Sequence, residues 1–285
     1  MRQIGREIHS DGFAKTRLSP KNSTGGTDLY SRNFSWGTSL VNLPGRAGLD
    51  AGLGISYNSL VWTKHNGTMF FDVDASNVSP GFRLGFPTIE ENYLDSSGKF
   101  NYMMVTPSGA RVEFKQTTAS NVYETADSSY AQLKLNGTGD PNSAPANLPL
   151  TVTTTDGTQM SYVWIAGAYR CTKIMDRNGN FITIGNDSYY GVLQTITDTL
   201  GRVVTVNYDN DLAPISIKQS WKTNNGSGTE EQQPHTYATF NYGSVAVNPV
   251  FGTLGIYGPN GVYIKGLQSV TYSDGSSTRF DYNAY

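Results

Sequence analysis

The chain has 285 residues, of which 37% are hydrophobic, 12% aromatic and 15% charged, with a formal net charge of -2. Low charge combined with many aromatics excludes general disorder, and the near-balance of 21 Lys and Arg against 23 Asp and Glu, with no basic run, argues against a nucleic-acid partner. No apolar run approaches the roughly eighteen residues of a membrane-spanning helix.

In chain order, the first stretch is a polar N-terminal arm over residues 1–34. Its opening, MRQIGREIHSDG, lacks the apolar core of a signal peptide. An exported chain would need its signal outside this sequence. RLSPKNSTGGTD, residues 17–28, has the composition of a mobile loop. Residues 35–149 form a β-rich region. Short runs of Val, Ile, Thr, Tyr and Phe recur between turn residues in GLGISYNSLVW (52–62), GTMFFDVD (67–74), KFNYMMVT (99–106) and ARVEFKQ (110–116). Residues 121–133, NVYETADSSYAQL, are the one place where a short helix or an irregular excursion fits. NGTGDPNSAPANLP, residues 136–149, reads as a long connection or a soft boundary.

From residue 150 to 285 the strand language continues in LPLTVTTT, QMSYVWIA, NFITIG, GVLQTIT, RVVTVNY, HTYATFNYG, SVTYS and STRFDY. A polar stretch at 222–234, KTNNGSGTEEQQP, reads as an exposed insertion. The helical crossovers of a dozen residues that helix-separated parallel strands need are absent throughout, so the fold class is all-β, antiparallel, built from successive hairpins.

A regular spacing runs through this half. Gly157, Gly179 and Gly201 are twenty-two residues apart, and Gly275 has the same setting. Five residues after each glycine stands an apolar or aromatic residue: Tyr162, Ile184, Val206 and Phe280. Two short strands and two turns occupy about this length, so each period is a hairpin added to a growing sheet. Glycine supplies the positive φ of the turn, and the Asp or Asn beside it bonds the local backbone. Alternation places Val204, Val206 and Tyr208 on one face, and likewise Phe280 and Tyr282. Gly98 and Gly109 are looser versions.

Other chemistries were weighed against this structural one. Asp176, Asn178 and Asn180 resemble the start of a calcium loop, but Gly is absent from the sixth position and Asp187 replaces the twelfth-position Glu. The expectation is no metal and no cofactor. His9, His65 and His235 lie in unrelated contexts, no HExxH, GxSxG or phosphate loop occurs, and neighbouring Glu90 and Glu91 alternate across a strand. No catalytic residue is assigned, and the chain reads as a non-enzyme. Cys171, the only cysteine, reads as a buried small hydrophobe. Trp36, Trp62, Trp164 and Trp221 offer a rival reading, a glycan-binding or adhesin module that stacks sugars on exposed rings; Trp221, just before a polar stretch, is the ring best placed for it.

SLVNLPGRAGLDAGLGISYNSLVW (39–62), DRNGNFITI (176–184), GVLQTITDTLGRVVTVNYD (191–209) and SDGSSTRFDYN (273–283) resemble the bacterial RHS or YD-repeat proteins, whose animal relatives are the teneurins. Tyr208-Asp209 is the dipeptide of the repeat's name, and LPGRAGLD with SYNS matches the block upstream of the repeats. The resemblance runs from about residue 35 onward. It implies a β-sheet wound into a hollow shell that encloses a toxic polypeptide, or a cell-surface contact protein, extracellular in either case. The partners it implies are further repeats of a longer chain and an enclosed polypeptide. The self-cleaving C-terminal core block of toxin members is not found here, so no residue inherits that role. With about three clear tandem units, this chain is expected to be a starting segment of a shell.

Overall fold

A computed structural model describes residues 14–17, 23–27, 33–72, 78–92, 101–119, 121–127, 129–137, 148–224 and 230–282. Its secondary structure is all-β apart from one 3-10 turn at Arg46–Gly48, and the pairings are antiparallel with a single short exception.

The N-terminal strands are β1 (Ala14–Arg17), β2 (Ser23–Thr27), β3 (Phe34–Leu43), β4 (Ala51–Asn58), β5 (Trp62–His65), β6 (Thr68–Phe71) and β7 (Phe82–Leu84). Four of them form a small sheet in the order β2-β3-β4-β7. Strict alternation in β4 buries Ala51, Leu53, Ile55 and Tyr57, and β3 adds Trp36, Val41 and Leu43 to that face. The described parts of the arm are therefore strands, not the mobile loop suggested by composition: β2 pairs with β3, and β1 pairs elsewhere.

Next come β8 (Thr88–Asn92), β9 (Asn101–Val105), β10 (Arg111–Gln116), β11 (Val122–Thr125), β12 (Gln132–Leu135), β13 (Leu150–Thr153), β14 (Gln159–Ile165) and β15 (Ala168–Met175). Each pairs with the next, and β8 also pairs with β15 through Ile89↔Tyr169 and Thr88↔Arg170. The eight strands close into a barrel. Cross-strand partners share a face, so Ile89, Tyr102, Phe114, Tyr123, Leu133, Val152, Tyr162 and Tyr169 line one side, and every one of them is buried. An eight-stranded barrel is just wide enough for side chains to fill, and aromatic rings fill this one: Tyr102 lies edge-to-face with Tyr123 at 4.9 Å and with Tyr169 at 6.1 Å. Residues 121–133 hold β11 and the start of β12 with a turn between them, so no helix forms there. Tyr123 and Leu133 are cross-strand partners, and the period-2 fit wins. The barrel draws strands from both sides of residue 149.

From β15 the sheet runs on as a meander: β16 (Phe181–Asn186), β17 (Leu193–Thr197), β18 (Val203–Tyr208), β19 (Pro214–Asn224), β20 (Glu230–Val247), β22 (Val262–Tyr272) and β23 (Ser277–Tyr282), with β1 on the outer edge of β23. β21 (Gly255–Tyr257) leaves it to pair in parallel with β6, beside β5. β15 is the branch point. Its first half pairs with β8 and its second half, Lys173–Met175, with β16. The small sheet packs against the meander: Trp36 and Phe82 both meet Phe280 edge-on, at 5.1 and 4.9 Å. One hydrophobic cluster extends through barrel, small sheet and meander. Within the stretch at 222–234, Lys222 to Asn224 pair with Gln232 to Glu230, and residues 225–229 lie outside the described set.

Candidate functional site

The repeat glycines sit at turns built alike. Gly179 N donates to Asp176 O and Asp176 N to Asn180 O, and the same two bonds join Gly201, Asp198 and Arg202. Gly157 with Thr154 and Thr158, and Gly275 with Tyr272 and Ser276, repeat them. All four glycines have φ between +81° and +86°. This is the three-residue hairpin loop whose third residue is left-handed. Asp176 Oδ1 accepts from Asn178 N and Asn180 N at 2.8 and 2.9 Å, and Asp198 Oδ1 from Leu200 N and Arg202 N at 2.9 and 2.7 Å. These bonds turn the carboxylates onto their own backbone, which leaves the calcium-like ladder at Asp176 facing amides. Asp187 likewise accepts from Tyr189 N and Tyr190 N. Among the described residues no three His, Cys, Asp or Glu side chains group to hold a metal ion.

A further turn of this design escaped the glycine pattern. Asp209 accepts from Asp211 N and Ala213 N, Leu212 N donates to Asp209 O, and Leu212 itself takes the left-handed position at φ +61°. What this turn shares with those of Gly179 and Gly201 is the Asp at position one, not the glycine.

Of the strand residues, Tyr162, Ile184, Val206 and Phe280 are buried in the common core. Tyr208 and Tyr282 do something else. Each hydroxyl donates 2.6 Å to a carbonyl fifteen residues earlier, Leu193 O and Leu267 O respectively. Tyr242 reaches Pro214 O at 2.9 Å, and Asn186 Nδ2 reaches Cys171 O at 2.9 Å, again fifteen residues earlier.

The register explains why these carbonyls need a partner. Thr172, Gln194, Ile215 and Gln268 are each inserted residues of a β-bulge, sitting next to Cys171, Leu193, Pro214 and Leu267. On the following side the ladder begins only two residues later, at Lys173↔Thr183, Thr195↔Thr205, Ser216↔Thr239 and Ser269↔Arg279. A bulge bends its strand and breaks the ladder, and the side chain of Asn186, Tyr208, Tyr242 or Tyr282 closes the gap. The column is continuous, because Asn186 pairs with Leu193, Tyr208 with Pro214 and Tyr242 with Leu267. The Tyr-Asp dipeptide thus combines two jobs: Tyr208 satisfies the previous bulge and Asp209 starts the next turn.

The upstream block docks on a repeat turn. Arg202 pairs with Asp198 at 2.5 Å and donates to Pro44 O, while Arg46 N donates to Thr199 Oγ1 at 2.8 Å. A Cβ on Gly45 would collide with Leu49 O and Thr199 Oγ1, which is why LPGRAGLD needs glycine there. Burial opposes ionisation of Asp198, but donation from the Arg202 side chain and from the Arg202 and Leu200 amides holds its carboxyl below the ordinary range. At Asp209 burial is likewise outweighed, chiefly by Lys265, which also bonds Asp211.

The remaining candidates are dispersed. His65 is exposed at the end of β5 beside Asn66, and His9 lies outside the described residues. Burial pushes the Cys171 thiol up to about 12, so it is held as the neutral thiol. Trp36 is buried, Trp62 packs on Phe71 and Phe251, and Trp164 packs on Tyr169. Trp221 is 42% exposed and stacks on His235 at 5.3 Å. An open cavity of about 650 Å³ lies over β20, β22 and β23, lined by polar groups including Asn241, Gln268, Arg279 and Asp281.

No family model matches the chain, and no curated protein matches it. Among solved structures, a chain of the crystal structure described as TcdB2-TccC3-Cdc42 superposes over 96% of this chain with a TM-score of 0.47 and 9% identity. The match spans 16% of that much longer chain. At that identity and TM-score it assigns neither family nor function.

Proposed function

We propose that the chain is a non-catalytic structural segment of an RHS-like β-shell or cell-surface protein, working outside the cell. The observation that supports this best is the column of bulges closed by Asn186, Tyr208, Tyr242 and Tyr282. It is a device for adding hairpins to a bent sheet one after another, and at Tyr208-Asp209 it takes the Tyr-Asp form of the repeat's name. Gly157, Gly179, Gly201 and Gly275 serve as the repeat turns, and Tyr162, Ile184, Val206 and Phe280 as the core side of each strand. The partners on this reading are further repeats and an enclosed polypeptide, which links the segment to toxin encapsulation and delivery or to cell contact.

Electron microscopy of the complete product of the gene is the test. A hollow shell whose wall contains this segment is the expected image. A compact particle with no repeats beyond those seen here would sink the proposal. The adhesin reading keeps one supporting observation, the exposed face of Trp221; a blank glycan array with unchanged tryptophan fluorescence removes it.

A further inference from the structure

The β19–β20 hairpin outruns both neighbours. The last β18 pairing on β19 is Val204↔Gln219, and the β22 pairing on β20 starts at Ala238↔Tyr272. Residues 220–224 and 230–237 therefore form a two-stranded arm with no further strand beside it among the described residues. A lone two-stranded ribbon is marginal in water, and this one is braced by rings. Trp221 stacks on His235, His235 meets Tyr237 edge-on at 4.6 Å, and the Tyr237 hydroxyl donates 2.6 Å to Oε1 of buried Gln219. The brace holds Trp221 against His235 and leaves it 42% exposed.

The two edges of the arm differ chemically. Pro234 stands opposite Ser220 and has no N–H to give to β19. The Ser220–Pro234 pair is thus a non-hydrogen-bonded one, and the blank nitrogen of Pro234 faces the outer edge of β20, which it blocks. Alternation then turns the backbone N–H and C=O groups of Ser220, Lys222 and Asn224 toward the outer edge of β19. That edge carries no proline and no bulge from Ser220 to Asn224.

We propose that the outer edge of β19 at residues 220–224 is a docking site for an extended segment of another polypeptide, which adds as a strand and seats an apolar or proline side chain against Trp221. N–H and C=O groups alternating at strand spacing are matched by another strand and by no sugar or small ion; the main chain supplies affinity and the aromatic supplies preference. Lys218 and Lys222 on β19 are balanced in formal charge by Glu230 and Glu231 on β20, so no net charge selects a charged segment and the favoured one is neutral. The site does not depend on the shell reading.

The probe is a neutral dodecapeptide selected on the whole chain from a random phage-displayed library, then synthesised with a fluorescent label. Lys222→Pro removes an outward N–H without touching a bond to β20, mirroring Pro234 on the other edge; Trp221→Ala removes the ring and Trp221→Phe restores one. Binding at least tenfold weaker in Lys222→Pro and Trp221→Ala, and largely kept in Trp221→Phe, is the expected result. Should Lys222→Pro fail to fold, hydrogen exchange on the unaltered chain reads the same question: saturating peptide slows the Ser220, Lys222 and Asn224 amides at least tenfold. The proposal falls if no peptide is enriched, if the peptide binds Lys222→Pro as tightly as the unaltered chain, or if those amides are unaffected. It also falls if the unaltered chain sediments as a dimer that Lys222→Pro makes monomeric, since a second copy then occupies the edge.

Discussion

Tyr208 is half-buried, and its hydroxyl closes the carbonyl that the Gln194 bulge turns out of the ladder. Removing one partner of such a bond leaves the carbonyl without its donor, which costs about 1–3 kcal/mol. Tyr208→Phe keeps the ring and is expected to lower stability by that amount in urea unfolding, with the slope unchanged. The same change at an exposed tyrosine such as Tyr189, whose hydroxyl faces water, is expected to have no measurable effect. Protonation tests the turns. Asp198 and Asp209 have carboxyls lowered in the folded state, so the stability they add is present above the unfolded value of about 3.9 and is lost as pH falls through the folded one. Asp198→Asn is therefore expected to be less stable than the unaltered chain at pH 7, with the gap closing as both are taken to pH 3. A gap that stays constant across that range would show that Asp198 contributes packing and no charge-assisted bonding. The fifteen-residue Tyr-to-Leu spacing was present in the sequence twice, at 193 and 208 and at 267 and 282. It was hidden by the units in which Asn186, Cys171 and Pro214 replace the tyrosine or the leucine.

At the scale of the element, the turns show two chemical solutions to one backbone. Gly201 occupies the left-handed position at φ +81° with nothing within 4 Å of where a Cβ would be, whereas Leu212 holds the corresponding place at φ +61°. Space is free at Gly201, so the cost of Gly201→Ala is conformational alone, about 1–2 kcal/mol. Leu212→Gly runs the other way. It relieves the left-handed strain but loosens the unfolded chain and removes a half-buried side chain, so its net effect is expected within about 1 kcal/mol of zero. Thermal or urea unfolding of the two variants side by side measures the asymmetry; equal losses in both would mean that the left-handed position carries no strain. Antiparallel hairpins with turn glycines were legible because every cue for them is local: a turn residue, then period-2 alternation. The strand pairing within the β19–β20 arm was not legible because its strand residues are polar. On an arm without neighbouring strands there is no buried face to impose an apolar pattern, and cross-strand contacts such as Trp221 on His235 hold it instead.

For the whole molecule the deciding contact is the one composition could not announce. Barrel closure rests on Ile89↔Tyr169 and Thr88↔Arg170, pairs eighty and eighty-two residues apart, and a strand of Val, Ile and Thr looks the same whether it meets its neighbour or a distant partner. The division at residue 149 was read from a Gly- and Pro-rich stretch, yet the barrel takes β8 to β12 from one side and β13 to β15 from the other. A cut between Pro149 and Leu150 would separate β12 from β13, a ladder running from Gln132↔Thr153 to Leu135↔Leu150. It would also divide the aromatic interior, since Tyr102, Phe114 and Tyr123 lie on one fragment and Tyr162 and Tyr169 on the other. The small sheet suffers as well, because Trp36 and Phe82 would lose Phe280. Each fragment would then expose a large contiguous apolar surface, the condition for aggregation. Residues 1–149 and 150–285 expressed separately are therefore expected to be insoluble or to show collapsed amide dispersion in proton NMR, while co-expression recovers a soluble pair that purifies together. Calorimetry of the intact chain is expected to give one transition. Two transitions, or a folded 150–285 fragment with native dispersion, would establish residue 149 as a true domain boundary and leave the barrel as an accessory to an independent repeat sheet.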